Sequence, residues 1–312
     1  MPFAEIGHNP HWLVHDVNSK LIISEDGTGF LVDCGLKEVW DDLVNLEANF
    51  SCSGIEGIFI THYHDDHTDY INRIREKHNC PVYVTKELQD ILNHPQAYHL
   101  PAMTTEPIGK LTIVPEASSI IWKEFTLTFY HLPGQTIYHD AMLVEHKNGE
   151  KVFLIGDSFS PAGIDDYCLQ NRNLIQPGMG YMYCLDLLSE MPENYWLVNQ
   201  HIESPFRFTK EQLGFMKANL SERKSLMKTL FPWDDPNYGI DERWARFYPY
   251  YQVIKPGQSV RFSVIILNHS EQVQEYTIRP VTGSLTCYPT ELVIKVHPKT
   301  EGAADFALEI PS

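Results

Sequence analysis

The sequence predicts an α/β domain that is followed by a small all-β module. In the first 230 residues, short apolar segments typical of strands alternate with segments of helical spacing, and this alternation is typical of layered α/β folds. After Pro256-Gly257, short alternating segments follow one another between turns, with no helical segment among them. These observations predict a first domain at 1–230, an aromatic-rich linker at 231–256 and a β-rich module at 257–312.

The elements of the first domain follow from apolar spacing and turn residues. Glu25-Asp26-Gly27 separates two predicted strands, and Thr209 with Gln212 fits a capping box at the start of a long helix. The predicted strands are 20–24, 29–32, 58–60, 81–85, 141–145, 151–155 and 196–200, and the predicted helices are 39–46, 68–78, 86–92 and 209–230. An antiparallel run is predicted for 111–114, 119–122 and 126–130.

The linker and the module have different compositions. The linker is too rich in Trp and Tyr for a disordered segment, so we expect it to pack against the first domain. The predicted strands of the module are 259–267, 274–281, 291–296 and 304–310. Their alternation indicates an immunoglobulin-like fold. Because these strands are too few for a complete sandwich, we expect either that the chain stops before its natural C-terminus or that the module packs on the first domain.

Composition argues against several classes of function. The 312 residues carry a net charge of −17 and no run of Lys or Arg, whereas a nucleic-acid-binding surface needs clustered basic side chains. No apolar run approaches the length that spans a membrane, and no signal-peptide pattern is visible, so we expect a cytoplasmic protein. The six Cys are scattered and indicate no disulfide framework. We expect a small-molecule substrate, and the oligomeric state is left open.

The stretch 57–70, GIFITHYHDDHTDY, contains the first group of candidate metal ligands. It contains three histidines and one aspartate within six positions: His62, His64, Asp66 and His67. The apolar run 58–60 predicts a buried strand, and alternation along it directs the first two histidines to the same side, while a turn brings the other two residues to the same space. Imidazole and carboxylate are the usual ligands of zinc, and also of iron or manganese. The spacing predicts a site for one or two metal ions.

This pattern resembles the signature of a known family. H-x-H-x-D-H after an apolar strand is the signature of the metallo-β-lactamase superfamily, and His62-Tyr63-His64-Asp65-Asp66-His67 matches it at each fixed position. The resemblance implies a four-layer αββα sandwich with one or two metal ions in a cleft at the strand ends. Zinc is the expected metal, with iron or manganese as alternatives.

Three further motifs follow in the order that the resemblance implies. Asp33-Cys34-Gly35 resembles the first family motif, whose Asp braces the metal loop without binding metal. Gly156-Asp157 resembles the motif whose Asp bridges two metals, and His201, at the end of a predicted strand, resembles the last ligand. The resemblance thus implies a second metal site formed by Asp66, His67, Asp157 and His201.

The segment at 131–136, HLPGQT, departs from the family pattern at one position. Gln135 stands where a third histidine completes the first metal site, and a Gln carbonyl is a weak neutral ligand compared with imidazole. His139, four residues later, and His131, four residues earlier, are alternative ligands. The sequence leaves the choice among these three residues open.

Other polar residues are further candidates for the site. His8, His11 and His15 could reach a metal cleft, although histidines in such a position are more often satisfied by local hydrogen bonds. The clusters Asp165-Asp166-Tyr167 and Asn171-Arg172-Asn173 could line a substrate pocket or form a solvated loop.

Together these observations favour a metal-dependent hydrolase that uses a metal-bound hydroxide on an ester, lactone, thioester or phosphoester. Asp66 is the predicted catalytic residue, because it would orient the hydroxide or accept its proton. One alternative is a metal-binding scaffold protein in which Gln135 reflects weak or lost catalysis. Another is an iron-dependent oxidoreductase, which the resemblance disfavours: the flavin-linked diiron members carry a carboxylate where His64 stands, and the single-iron dioxygenases rely on the histidine that Gln135 replaces.

Overall fold

The structure is a computed structural model, and it describes residues 4–49, 51–164, 179–191, 194–231, 233–241 and 243–312. The chain divides into two compact units, of which the first comprises Met1–Pro95 and Pro101–Glu222 and the second comprises Gln96–Leu100 and Arg223–Ser312. Each unit has its own apolar core. The division at residues 230 and 256 stays a prediction.

The first unit contains most of the strands and helices. In chain order its strands are β1 Glu5–Ile6, β2 Leu13–Asp16, β3 Ser19–Ile23, β4 Gly29–Val32, β5 Ile55–Phe59, β6 Val82–Val84, β7 Thr112–Ile113, β8 Ser119–Trp122, β9 Phe125–His131, β10 Asp140–His146, β11 Lys151–Leu154, β12 Phe159–Ser160, β13 Gly163–Ile164, β14 Trp196–Val198 and β15 Phe206–Arg207. The helices are α1 Lys37–Ala48, α2 Asp65–Thr68, α3 Ile71–His78, α4 Lys86–Asn93, α5 Gly180–Glu190 and α6 Lys210–Leu230, the last of which ends in the second unit. A 3-10 turn, Pro95–Ala97, begins in the first unit and ends in the second.

Two sheets form the centre of the first unit. One has the strand order β2-β3-β4-β5-β6-β7, and the other has the order β1-β15-β14-β11-β10-β9-β8. Apolar side chains of both sheets join in one buried cluster, in which the rings of Phe59 on β5 and Phe129 on β9 have centroids 5.5 Å apart. The sheets therefore pack face to face, and burial of this apolar surface is the main force that holds them together.

Helices cover the outer faces of the two sheets. On one side, α3 and α4 follow β5 and β6 and contact them, with Ile74 and Leu88 among their buried side chains. On the other side, Leu188 of α5, Leu197 of β14 and Leu213 of α6 line a common pocket. The order of layers is helix, sheet, sheet, helix, as the resemblance implies.

Most predicted elements of the first unit agree with the structure to within a few residues. The capping box is confirmed, because the Thr209 amide donates to Gln212 Oε1 at 2.9 Å and the Gln212 amide donates to Thr209 Oγ1 at 3.2 Å. The antiparallel run is wrong in one part. The segment 111–114 contributes β7, which pairs parallel with β6 in the other sheet. The reason is that a strand of two residues carries too little pattern of its own to indicate its partner.

The second unit is an all-β module with one short helix. Its elements are α7 Asn237–Ile240, β16 Ala245–Tyr248, β17 Ser259–Leu267, β18 Gln274–Ile278, β19 Thr286–Tyr288, β20 Leu292–Val296 and β21 Glu301–Glu309. A sheet of order β16-β17-β21-β19 packs with the ribbon β18-β20 around Phe306 and Ala304. The sequence prediction missed β16 and β19, and the immunoglobulin-like assignment stays a prediction. None of the helices in the described chain is long and apolar enough to span a bilayer.

Asp140, the first residue of β10, connects the two sheets and provides a test of this architecture. Its carboxylate accepts hydrogen bonds from the Thr85 amide and the Thr85 hydroxyl, each at 2.7 Å, and its own amide donates to Thr61 O. We expect Asp140→Ala to lower the free energy of unfolding by about 1–3 kcal/mol, because two buried donors lose their acceptor. Denaturant unfolding measures this difference.

The matched control is Asp41→Ala, which removes an exposed carboxylate of α1 that pairs with Lys37. Its effect on the free energy of unfolding should stay within about 0.5 kcal/mol. Equal effects of the two substitutions would show that the Thr85 contacts do not connect the sheets.

Candidate metal centre

The motif lies where β5 ends and a single helical turn begins. β5 ends at Phe59, His64 is extended at φ −61° and ψ 145°, and α2 starts at the next residue. The rings of His62 and His64 lie on the same side, with centroids 4.4 Å apart. Gly35 lets α2 approach, since a Cβ at this position would come within 2.0 Å of the Asp66 backbone. The predicted strand-and-turn arrangement is therefore present.

The predicted ligands gather in two neighbouring clusters. The first cluster is His62, His64 and Asp157, and the second is Asp66, His67 and His201. Within each cluster the donor atoms lie within 4.8 Å of one another. One oxygen of Asp157, Oδ2, reaches both clusters, because it lies 3.7 Å from His62 Nε2, 3.4 Å from His67 Nε2 and 3.1 Å from His201 Nε2.

Hydrogen bonds at the Nδ1 atoms of His62 and His67 orient the Nε2 atoms of both rings into the cleft. The Thr61 hydroxyl donates to Asp33 Oδ2 at 2.6 Å, so it can only accept the hydrogen bond that joins it to His62 Nδ1 at 2.9 Å. His67 Nδ1 donates to the same carboxylate oxygen at 3.1 Å. In the neutral rings, both Nε2 atoms therefore carry lone pairs that point into the cleft, as metal ligands require.

Asp33 itself is fully buried at the end of β4, with a left-handed backbone at φ 61°. Besides the two contacts above, it accepts hydrogen bonds from the Thr61 amide at 2.7 Å and from Gln200 Nε2 at 2.8 Å. It braces His67 and does not belong to either ligand cluster, as the resemblance implies for this position.

Lys20 fixes the segment that carries His201. Its amine donates to the carbonyl oxygens of Gln200 at 2.8 Å and Ile202 at 3.3 Å, and it contacts His15 Nδ1 at 2.5 Å. The side chain is fully buried, and burial lowers the pKa of its amine to about 7. The two residues that flank His201 are thus held by one side chain from β3.

The electrostatics of the clusters favour added positive charge. Burial lowers the pKa values of His62 and His64. Burial acts in the same direction on His67, but Asp157 and Asp33 outweigh it and raise the pKa of His67 well above its ordinary value. Burial raises the pKa of Asp157, but His67 and His201 outweigh it and hold that pKa well below its usual range.

These shifts and contacts fit a divalent cation. The clusters combine imidazole nitrogens with carboxylate oxygens, and the second oxygen of Asp157, Oδ1, is buried without a hydrogen-bond partner in the described residues. His62 Nε2 and His64 Nδ1 approach to 2.9 Å, and His67 Nε2 and His201 Nε2 approach to 3.3 Å. Donor atoms that converge in this way are suited to sharing a metal ion.

The structure separates the three candidates for the remaining ligand of the first cluster. Gln135 lies at the cleft, where its Nε2 donates to Asp157 Oδ2 at 3.2 Å. His139 is fully buried behind Gly156, with Nε2 at 3.4 Å from both the Asp157 amide and Ser158 Oγ. His131 Nε2 donates to Ile137 O at 2.8 Å. Gln135 is thus the candidate whose side chain contacts the Asp157 carboxylate, and a half-turn of its amide would exchange Nε2 for Oε1.

Sequence reasoning missed residues that support the ligands. Asn18, in the turn after β2, donates from Nδ2 to the backbone oxygen of Asp66 and to its Oδ2, the latter at 3.2 Å. Lys20 and Gln200 were also missed.

The remaining candidates have other positions. Of the N-terminal histidines, His15 contacts Lys20, whereas the ring of His11 lies 6.4 Å from that of His146. Neither His15 nor His11 belongs to a ligand cluster of the described residues, and the same is true of His8. The polar clusters at 165–167 and 171–173 lie outside the described residues.

Two facing sheets with paired donor clusters at their strand ends define a class of metal-binding α/β proteins. The family model described as the metallo-beta-lactamase superfamily matches residues 12–169, half of the chain, and the chain belongs to this superfamily of metallo-hydrolases. The matched region contains every member of the two ligand clusters except His201.

Individual proteins agree with this assignment. The hydroxyacylglutathione hydrolase of Marinomonas sp. (strain MWYL1) is 25% identical over 162 residues, which are 52% of this chain and 51% of that protein. The hydroxyacylglutathione hydrolase of Hahella chejuensis (strain KCTC 2396) is 25% identical over 173 residues, which are 52% of this chain and 58% of that protein. The chain thus spans about half the length of the curated relatives it matches.

A solved structure shows the same fold. The metallo-beta-lactamase GOB-18 from Elizabethkingia meningoseptica superimposes with a TM-score of 0.53 and 19% identity, over 73% of this chain and 93% of that chain. At this identity the likeness concerns the fold alone.

The contacts of Asp33 generate a prediction about metal affinity. In Asp33→Asn, an amide group would face the donors on His67, Gln200 and Thr61 that now share Oδ2. We expect about a 10–100-fold loss in zinc affinity, as is typical when a residue that orients a ligand is replaced. Competition with a chromophoric chelator measures this affinity. Unchanged zinc affinity, at the level of the Asp41→Asn control, would contradict the bracing role of Asp33.

Proposed function

We propose that this protein is a metal-dependent hydrolase with a binuclear site, acting on an ester, lactone, thioester or phosphoester. The observation that carries the proposal is the position of Asp157, whose Oδ2 lies within 3.7 Å of nitrogens from both ligand clusters. A carboxylate oxygen between two sets of imidazole donors is suited to bridging two divalent ions. Membership of a metallo-hydrolase superfamily supports the same assignment.

The side chains divide into those that would hold ions and one that would act on water. Bound divalent ions would supply a water of lowered pKa and an electrophilic contact for the substrate oxygen. His62, His64, His67 and His201 would hold the ions, and Asp157 would bridge them. Asp66 has a side chain that is 36% exposed, and Asn18 donates to its Oδ2 at 3.2 Å. We assign to Asp66 the orientation of the attacking water and the acceptance of its proton.

Donor chemistry and relatives narrow the metal and the substrate. Imidazole with carboxylate suits zinc, so we propose zinc as the resident metal, with iron or manganese as alternatives. The two curated relatives are named hydroxyacylglutathione hydrolases. We therefore propose a small-molecule substrate and place acyl thioesters first in a substrate panel.

A second candidate function has an observation of its own. Gln135 donates to Asp157 and stands in place of a third imidazole ligand, so the ion of the first cluster would be held by fewer strong donors. A protein in which this ion is weak could bind metal with little turnover, as in the scaffold alternative. Activity and metal content measured on the same sample separate the two candidates.

Substitution of the metal cluster tests the hydrolase directly. We expect His64→Ala and Asp66→Asn to lower the rate of thioester or ester hydrolysis by at least about 100-fold, because each removes a ligand or the proton acceptor. Thermal unfolding should show that both variants remain folded, since these side chains face the cleft. The control is His94→Ala, an exposed histidine that pairs with Asp90 after α4, and it should retain full activity. Full activity of His64→Ala, or of the wild type after its metal has been removed by a chelator, would refute the proposal of a metal-dependent hydrolase.

Metal stoichiometry tests the role of Gln135. We expect zinc titration of the wild type to resolve a tighter and a weaker ion, and we expect Gln135→His to strengthen the weaker one by adding an imidazole beside Asp157. Gln135→Ala should weaken the same ion and leave the tighter one unchanged. Calorimetric titration of the metal-free protein measures both affinities. If the wild type and Gln135→Ala bind two ions equally tightly, Gln135 is not a determinant of the first cluster.

A further inference from the structure

The second unit contains a pocket lined mainly by aromatic side chains. Its volume is about 260 Å³, and its lining residues are Trp233, Asp234, Tyr238, Trp244, Gln274 and Tyr276. All of these residues belong to the second unit, in the segment 233–244 and on β18. The pocket has no residue in common with the metal clusters.

The rings in this pocket have different orientations. Tyr238 and Trp244 meet edge to face, with centroids 5.2 Å apart and planes at 85°. Trp244 and Tyr276 have centroids 6.2 Å apart and planes at 40°. Trp233 is 49% exposed, so part of its surface is open to a ligand. Rings set at such angles enclose a compact, rounded group better than a flat one.

Hydrogen bonds fix two of the rings in place. The Tyr238 hydroxyl donates to Asn268 Oδ1 at 2.8 Å, so the Tyr276 hydroxyl is the donor in the 2.8 Å hydrogen bond between the two tyrosines. Asn268 is fully buried, and its own amide donates to Gln272 O and Val296 O. The ring positions are therefore set before any ligand binds, which lowers the entropy cost of binding.

The pocket carries a negative charge. Asp234 is exposed, and no Lys, Arg or His in the described part of the chain forms an ion pair with it. Asp234 lines the pocket together with the rings. Burial, the Tyr238 hydroxyl and then the Asp234 carboxylate raise the pKa of Tyr276. Aromatic faces are themselves electron-rich, so rings and carboxylate favour the same kind of ligand.

We propose that this pocket binds a quaternary or methylated ammonium group. An ammonium group with methyl substituents offers a rounded apolar surface to the rings and a positive charge to Asp234, and aromatic cages bind such groups by cation–π attraction. A neutral sugar would leave the carboxylate without a counter-charge and would favour rings with a flat, open face. The pocket is thus a ligand site that is separate from the hydrolytic centre.

The test titrates the full-length chain with choline in a calorimeter, and then with 3,3-dimethylbutan-1-ol, which has the same shape without the charge. We expect saturable binding of choline and at least about five-fold weaker binding of the neutral compound, because an uncharged group is attracted neither to the ring faces nor to the Asp234 carboxylate as a cation is. Trimethyl-lysine amide serves as a second cationic probe. Comparison of its affinity with that of choline shows whether the pocket prefers a methylated lysine or choline.

Variants connect the binding to this pocket. Asp234→Asn keeps the shape of the side chain and should weaken choline binding about three-fold or more, and Trp233→Ala should do the same. Tyr251→Ala removes another exposed ring of the same unit, 57% exposed and outside the pocket, and should leave binding unchanged. Equal binding of choline and the neutral compound, no binding of either cation, or binding that survives both pocket substitutions would overturn the proposal. Glucose binding that Trp233→Ala removes would overturn it in favour of a sugar site.

Discussion

The candidate metal centre depends on the hydrogen bonds that one buried carboxylate, Asp33, accepts. Four donors meet on its two oxygens: the amide and hydroxyl of Thr61, Nδ1 of His67 and Nε2 of Gln200. A buried charge of this kind is costly unless each lone pair has a partner, so the carboxylate fixes the ends of β4 and β5, the turn of α2 and the segment after β14 relative to one another. Five of the six cluster residues lie on these same segments, whereas Asp157 follows β11, and the sheets bring all six together.

The sequence was sufficient for those features that depend on local pattern. The apolar run before His62 and the spacing to His67 predict the strand and the turn, and both are present. Asp157 and His201 carry no local signal of their own, and they could be named only because the order of motifs resembles a family. Side chains such as Asn18 and Lys20 could not be assigned, because their partners lie far away in the chain and hydrogen-bond pairing leaves no periodic trace.

The departure at Gln135 shows a second limit of sequence reasoning. Three side chains within nine positions could each serve as a ligand, and distance along the chain does not distinguish them. The structure distinguishes them through the backbone, because His139 forms an antiparallel bridge with His62 and its ring stacks beside that of His62, at a centroid distance of 4.9 Å. In this position His139 packs against the ring of His62, whereas the Gln135 side chain contacts the Asp157 carboxylate.

The side chain of Lys20 has a consequence for how ions enter and leave. Since its amine is bonded to the carbonyl groups on both sides of His201, this segment keeps its position through contacts within the protein. An arriving ion therefore has little backbone entropy to remove, and a departing ion leaves behind no loop that must refold. The rate of metal exchange would then depend on the access of ions to the cleft and on the strength of the bonds to the donor atoms. The centre could exchange its ion without a change in its shape.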